Sequence, residues 1–199
     1  MQKLLIATGN QGKLLEIQSL LDGMDIELVI PRMLGISQEV EETGSTYEEN
    51  ALLKAEAFAQ ASGLITLADD SGLEVDILGG QPGIRSARFS PLHGANDADR
   101  RTYLLSLLHG QPRPWKAHFH CTVALAVPGE KTYFAQGNCP GEIISVERGS
   151  NGFGYDPIFL LPELGLTMAE LSMAEKNQHS HRARAIKAAL PILNALFPR

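Results

Sequence analysis

Asp69 and Asp70 stand side by side after the apolar run Leu64–Ala68 and ahead of Ser71 and Gly72. A carboxylate pair at the carboxyl end of a strand can hold a hard cation or take a proton from water, and mixed α/β folds open their ligand crevices at such ends. Alone, Asp-Asp-Ser-Gly also describes a solvated acidic turn. A second stretch adds weight: Thr8-Gly9-Asn10-Gln11-Gly12-Lys13 joins an apolar strand, Leu4–Ala7, to a helix expected from Lys13 to Leu21. Backbone N–H groups in a strand-to-helix loop face outward at the positive end of the helix dipole, where an anion is favoured. Gly9 and Gly12 permit close approach, and Lys13 adds a charge, although taken alone these residues fit a tight structural turn as well as an anion site. The loop is not a P-loop, because its glycines are three apart and Leu14 stands where the magnesium-binding Ser or Thr would be.

Three further groups carry polar or aromatic chemistry. Glu41-Glu42-Thr43-Gly44 has no apolar run to cover its carboxylates, and Tyr47, Asn50 and Lys54 then follow at helical spacing, so that Asn50 and Lys54 share a face. Gly152-Phe153-Gly154-Tyr155-Asp156-Pro157 sets two rings between glycines and can either stack a ring on a purine or plug the space under a loop. Lys176, His181 and Arg182 lie near the start of the last helix; the donors of Arg182 and His181 match the O6 and N7 acceptors of a 6-oxo purine and mismatch the 6-amino group of adenine, while Arg184 and Lys187 beside them also fit a basic solvated face. Nothing in these residues addresses a 2-amino group. His118-x-His120 places two imidazoles on one strand face, but no third zinc ligand is in register. Ser71 has no Ser/His/Asp arrangement, and neither cysteine has the setting of a thiol nucleophile, which disfavours covalent catalysis.

The elements that must position these groups follow from pattern. Ser45-x-x-Glu48 and Thr46-x-x-Glu49 both fit a capping box, so a helix should run from near Tyr47 to Gly63 with Ala51, Ala55 and Phe58 inward. Leu64–Ala68 and Leu73–Leu78 are expected as strands bracketing a carboxylate turn, followed by the Gly79–Gly83 loop. Asn96 or Asp97 should cap a helix carrying Tyr103, Leu104, Leu107 and Leu108. Ala117–Val127 and Lys131–Gln136 flank Pro128-Gly129-Glu130 as a hairpin, and Glu142–Val146 is expected as a third strand. Ser180–Leu196 is expected as a closing amphipathic helix that Pro191 kinks or splits.

The 199 residues fit one domain, with 44% apolar and 20% charged residues and no repeat or low-complexity tract. A net charge of −6 gives no basic footprint for nucleic acid or an anionic membrane. An anionic ligand would therefore need local Lys and Arg residues or a bound cation. Two cysteines without CxxC spacing, and no secretory signal or spanning segment after Met1, lead us to expect a cytoplasmic protein with free thiols.

Taken in order, TGNQGK at 8–13, EETG at 41–44, ENALLKA at 49–55, ADDSGLEVD at 68–76, GGQPGIRSARF at 79–89, GFGYDPIF at 152–159 and SHRARA at 180–185 resemble the noncanonical purine nucleoside triphosphate pyrophosphatases. These are also called inosine/xanthosine triphosphate or dITP/XTP pyrophosphatases, and the resemblance spans essentially the whole chain. It implies an α/β fold with a central mixed twisted sheet flanked by helices, a single domain over 1–199 made of two lobes with a substrate cleft between them, and a homodimer. The implied activity is Mg²⁺-dependent hydrolysis of ITP, dITP, XTP or dXTP to monophosphate and pyrophosphate. By motif, Thr8, Gly9, Asn10, Gln11, Gly12, Lys13 and Lys54 would hold the triphosphate. Glu41 and Asp70 would hold the metal, with Asp69 an additional ligand or a support behind it, and Asp70 would also be the general base. Ser71 would contact substrate, Phe153, Gly154, Tyr155 and Asp156 would form the base-stacking loop, and Lys176, His181 and Arg182 would read the purine edge. Two alternatives compete: a related septum-inhibitor type of nucleotide pyrophosphatase, disfavoured by the intact ADDSGLEVD and SHR segments, and a nucleotide sensor, which would need no general base.

Overall fold

The computed structural model describes residues 1–198. Seven strands form one mixed sheet in the order β2-β1-β3-β4-β5-β6-β7: β1 Gln2–Ile6, β2 Ile26–Val29, β3 Thr66–Val75, β4 Trp115–Ala126, β5 Thr132–Ile143, β6 Phe159–Leu161 and β7 Leu166–Thr167. The helices are α1 Gln11–Leu20, α2 Tyr47–Ser62, α3 Asp97–Leu108, α4 Met173–His179 and α5 His181–Leu196. β1 pairs in parallel with both β2 and β3, while β5–β6 and β6–β7 are antiparallel, so the sheet is mixed as expected. No helix among the described residues is long and apolar enough to cross a membrane.

The chain order around β1 matters most for function. From β1 the chain passes through α1 to β2 on one side, then through α2 to β3 on the other, so strand order reverses at β1. An open α/β sheet leaves a crevice at the carboxyl ends of the strands where this reversal occurs. The two crossover helices cover opposite faces. Leu4, Ile6 and Leu67 pack with Leu14 and Ile17 of α1 and with Ile186, Ala189 and Leu193 of α5. Leu5, Ala7 and Ala68 pack with Ala51, Ala55 and Phe58 of α2. A fully buried Leu or Ile stabilises by about 1.5–3 kcal/mol.

Contacts divide the chain into two compact units, one of residues 1–70, 121–137 and 182–199 and the other of 71–120 and 138–181. The first contains both clusters described above. The second has its own core, in which Leu73 and Val75 join Leu104 and Leu108 of α3, Trp115, Phe119 and Phe159.

Several boundaries differ from the expectations. Asp69 to Gly72 form no turn: β3 runs unbroken from Thr66 to Val75 and the carboxylates sit in its interior. The hydrogen-bonded sheet edge available along β3 outweighs the turn preference of Gly72, since glycine is weak in a strand but not excluded from one. The Thr8 loop is shorter than expected because Asn10 caps α1, which makes Gln11, Gly12 and Lys13 its first turn. Glu142 and Ile143 belong to the end of β5, and residues 144–146 form no strand. α5 continues through Pro191, where both Pro191 and Lys187, whose carbonyl a normal residue would engage, lie on the exposed face open to water. Helix α2 matches expectation, with Thr46 at its N-cap and Gly63 left-handed at its C-cap.

Candidate active site

Because side chains alternate along a strand, Asp69 continues the face of Leu67 and Asp70 that of Ala68. Asp69 therefore turns toward α1 and α5. Its Oδ2 lies 3.0 Å from Lys13 Nζ and accepts from both Nε and Nη2 of Arg182 at 3.2 Å. Arg182 Nη1 donates to Glu16 on α1. Glu16, Asp69 and Arg182 are all at most 2% exposed. Burial works against the Asp69 charge, but Lys13, Arg182 and Lys54 outweigh it and hold the carboxyl well below the usual range. Burial likewise opposes the Arg182 charge, yet Asp69 and Glu16 keep it firmly cationic. Cys121, with Sγ 3.9 Å from Asp69 Oδ2, has its thiol pushed up to about 12 by burial and by that carboxylate, so it is no nucleophile.

Asp70 turns toward α2. Asn50 Nδ2 donates to its Oδ2 at 3.2 Å, and Lys54 Nζ lies 3.6 Å from its Oδ1. Lys54 also donates to the Asp69 carbonyl at 2.6 Å and to Glu42 at 2.7 Å. Asn50 Oδ1 accepts the Gly44 N–H at 2.8 Å, which fixes the amide orientation and ties the acidic loop to Asp70. A Cβ at Gly44 would fall 2.6 Å from Glu49 Cβ and 2.8 Å from Asn50 Oδ1, so this approach requires glycine. Burial raises the Asp70 carboxyl above its ordinary value despite Lys54 and Lys13. Burial works against the Lys54 ammonium too, but Asp69, Asp70 and Glu42 raise it overall. The two adjacent carboxyls are thus pushed in opposite directions, Asp69 down and Asp70 up, a division that can serve a fixed anion and a proton acceptor.

At the end of β1, Asn10 Oδ1 accepts the Lys13 N–H and Thr8 Oγ1 accepts the Asn10 N–H, each at 3.1 Å. Gly9, Asn10 and Gln11 are exposed at the amino end of α1, which suits an anion.

The carboxylates fit a hard cation. Asp69 Oδ1 is buried without a hydrogen-bond partner, and carboxylate oxygens are the donors such an ion takes. Among the described residues no three His, Cys, Asp or Glu side chains form a metal cage. Mg²⁺ characteristically takes one or two carboxylates and completes its shell with water and substrate phosphates. Glu41 is exposed, while Glu42 is the residue that meets Lys54. The two histidines on β4 are engaged elsewhere, His118 with Glu74 at 3.3 Å and His120 with Asn138 at 2.7 Å.

The second unit carries the aromatic loop. Asp156 and Lys176 are each 3% exposed and paired at 2.5 Å; Asp156 Oδ2 also accepts the Phe153 N–H at 2.9 Å. Lys176 Nζ lies 5.1 Å from the centre of the half-buried Phe153 ring. A Cβ at Gly152, where φ is +74°, would fall 2.0 Å from Asp156 Oδ2. Tyr155 is the plug, 4% exposed with its hydroxyl donating to the Ser86 carbonyl at 2.9 Å. Ser86 in turn accepts the Leu73 N–H and donates to the Gly83 carbonyl, which gives the GGQPGIRSARF segment its structural work. His181 stacks on Phe119 with centroids 4.7 Å apart, and Ser71 is half-buried in β3.

Thr8, Lys13, Lys54, Asp69 and Asp70 are thus gathered in the first unit, and Phe153, Asp156, Lys176 and His181 in the second. Arg182 differs from expectation: it lies in the first unit, and its Nε, Nη1 and Nη2 donate to carboxylates. Sequence reasoning missed Glu16, whose one signal is its place three residues after Lys13 among the inward positions of α1. It also gave no sign that Asp97 and Arg101 of α3 meet the aromatic loop at Gly154, at 2.7 and 2.8 Å, because they look like ordinary charges on a capped helix.

The Ham1 family model matches residues 4–192. A dITP/XTP pyrophosphatase of Bacillus licheniformis is 44% identical over 197 residues, covering 98% of this chain and 99% of that one. One from Geobacter sulfurreducens is 48% identical over 187 residues, 94% of each chain. The Ham1 protein of Staphylococcus aureus superposes with a TM-score of 0.86 at 40% identity over 98% of this chain and all (100%) of that one. A HAM1 protein from Coxiella burnetii gives 0.88 at 38% identity with the same coverages, 98% and 100%. With its reversal-point carboxylates in place and near full-length matches on every side, the chain belongs to the Ham1 family.

Proposed function

We propose that the protein hydrolyses dITP, ITP, XTP and dXTP to the nucleoside monophosphate and pyrophosphate, clearing deaminated purines from the nucleotide pool. The observation that carries this reading is the Asp69–Asp70 pair, interior to a strand at the reversal point of the sheet, with Lys13 and Lys54 on its two sides. The near full-length relatives named for this activity support it.

In this reading Thr8–Lys13 and Lys54 bind the triphosphate through outward N–H groups and two ammonium charges. Asp70, with Asp69 and the Glu41–Glu42 loop, would hold Mg²⁺. That ion, when bound, supplies charge compensation to the phosphate oxygens of a −6 chain's anionic substrate. Asp70 takes the proton of the attacking water, a task its upward-shifted carboxyl suits. Asn50 orients that carboxylate, while Arg182 and Lys13 hold Asp69 as a permanent anion. Attack at the α-phosphorus releases pyrophosphate as one unit.

At the base end Phe153 supplies the stacking face, worth about 1–3 kcal/mol, with Lys176 beneath it. His181 and Lys176 offer donors to a 6-oxo purine, and Ser71 contacts the substrate. The enzyme works as a cytoplasmic homodimer without nucleic-acid or membrane partners.

The test incubates the purified protein with Mg²⁺ and ITP, XTP, GTP or ATP in turn and resolves products by anion exchange. IMP or XMP with pyrophosphate, and little turnover of GTP or ATP, is the expected result. IDP with phosphate, or tight ITP binding without turnover, would replace this reading with a phosphatase or a sensor.

A further inference from the structure

Two side chains in the first turns of α3 grip the loop that carries Phe153. Asp97 Oδ2 accepts the Gly154 N–H at 2.7 Å, and Arg101 Nη1 donates to the Gly154 carbonyl at 2.8 Å. Both polar groups of the residue after Phe153 are thereby held by one helix. The grip is itself braced. Arg101 bonds Glu147 through Nε at 2.8 Å and Nη2 at 3.0 Å, Arg100 pairs with the other Asp97 oxygen, and Asn96 and Asp99 close a capping box around the first turn of α3. Asp156 Oδ2 in addition holds the N–H of Phe153 itself.

The loop needs such bracing. Gly152 and Gly154 both take left-handed φ values, +74° and +62°, and glycine is the residue that loses most conformational freedom when one such state is fixed. If the loop were left to order itself on binding, that entropy would be subtracted from substrate affinity.

We propose that Asp97 and Arg101 are positioning residues for the base: by fixing Gly154 they hold the Phe153 ring ready for stacking. They set affinity for the nucleoside end and leave the phosphate chemistry alone. The inference rests on the base-end reading of Phe153 given above.

The test measures steady-state ITP hydrolysis, with competition by IMP and by inorganic tripolyphosphate, for Asp97→Ala, Arg101→Met and Phe153→Ala. The two α3 variants should raise KM for ITP and the inhibition constant of IMP about tenfold, keep kcat within about twofold, and leave tripolyphosphate inhibition unchanged. Asp97→Asn, whose amide oxygen can still accept the Gly154 N–H, should recover most of the lost affinity. Unchanged KM in both α3 variants beside a raised KM in Phe153→Ala would overturn the clamp alone. An equal loss of tripolyphosphate affinity would overturn it as well, because a general structural defect would then account for the data. Unchanged KM in Phe153→Ala would remove the base-end reading and the clamp with it.

Discussion

Arg182 Nε and Nη2 both reach a single oxygen of Asp69, Oδ2, at 3.2 Å, and the other oxygen of that carboxylate has no hydrogen-bond partner. One oxygen of Asp69 is thus fixed by the closing helix and Lys13 while the other is buried and unbonded. This arrangement makes Arg182 a support of the carboxylate centre, joined through Glu16 to α1, the helix that follows Thr8–Asn10.

Arg182→Ala would leave Asp69 and Glu16 as buried carboxylates short of a cation. Breaking such a pair from one side costs about 3–5 kcal/mol. Urea unfolding should show a loss of that size, and in the surviving folded fraction the ITP/ATP selectivity ratio should stay unchanged. Undiminished stability with a narrowed ratio would return Arg182 to the purine edge.

The depressed Asp69 carboxyl has a defined acid signature. Its folded-state value lies below the unfolded value of about 3.9, so its stabilising contribution is fully present above about pH 4. It is lost as pH falls further, because the unfolded chain takes up the proton first. Urea midpoints recorded from neutral pH downward should fall below about pH 4, and Asp69→Asn should flatten that fall.

Asp70 has the opposite sign. Its folded-state value is raised, so any stabilising contribution is present below the unfolded value and lost as pH rises through the folded one. At neutral pH the ionised group costs stability. Asp70→Asn should therefore melt no lower than the wild type without added divalent cation, while turnover drops at least about a hundredfold. Calorimetry paired with ITP hydrolysis checks both, and near-normal turnover would remove Asp70 as the base.

Tyr155 and Phe153 should separate cleanly. Tyr155→Phe removes the bond to the Ser86 carbonyl and should cost about 0.5–1.5 kcal/mol of stability with kcat/KM within about twofold. A large rise in KM would instead make Tyr155 part of the base platform.

Much of this was legible in the residues. Alternation and capping gave β1, α2 and the inward faces of α5, because Leu4–Ile6 and the Thr46–Glu49 box are local signals. The carboxylates were legible as a pair, but their strand setting was not: β1 pairs with β3 only at Thr66 and Leu67, and Gly72 looks like a turn until the distant β4 flanks the rest of β3. Glu16 and Arg182 stand 166 residues apart and Asp97 and Gly154 57 apart, so their meetings are products of tertiary packing that no local pattern encodes. The same holds for Glu42, which outreaches Glu41 to Lys54 only through the folded loop.

The most direct test of the central claim is hydrolysis of ITP in ¹⁸O-labelled water, followed by mass spectrometry of the products. Water activated by Asp70 and attacking the α-phosphorus places the label in IMP and leaves pyrophosphate unlabelled. Label in pyrophosphate would mean attack at the β-phosphorus and would contradict the mechanism.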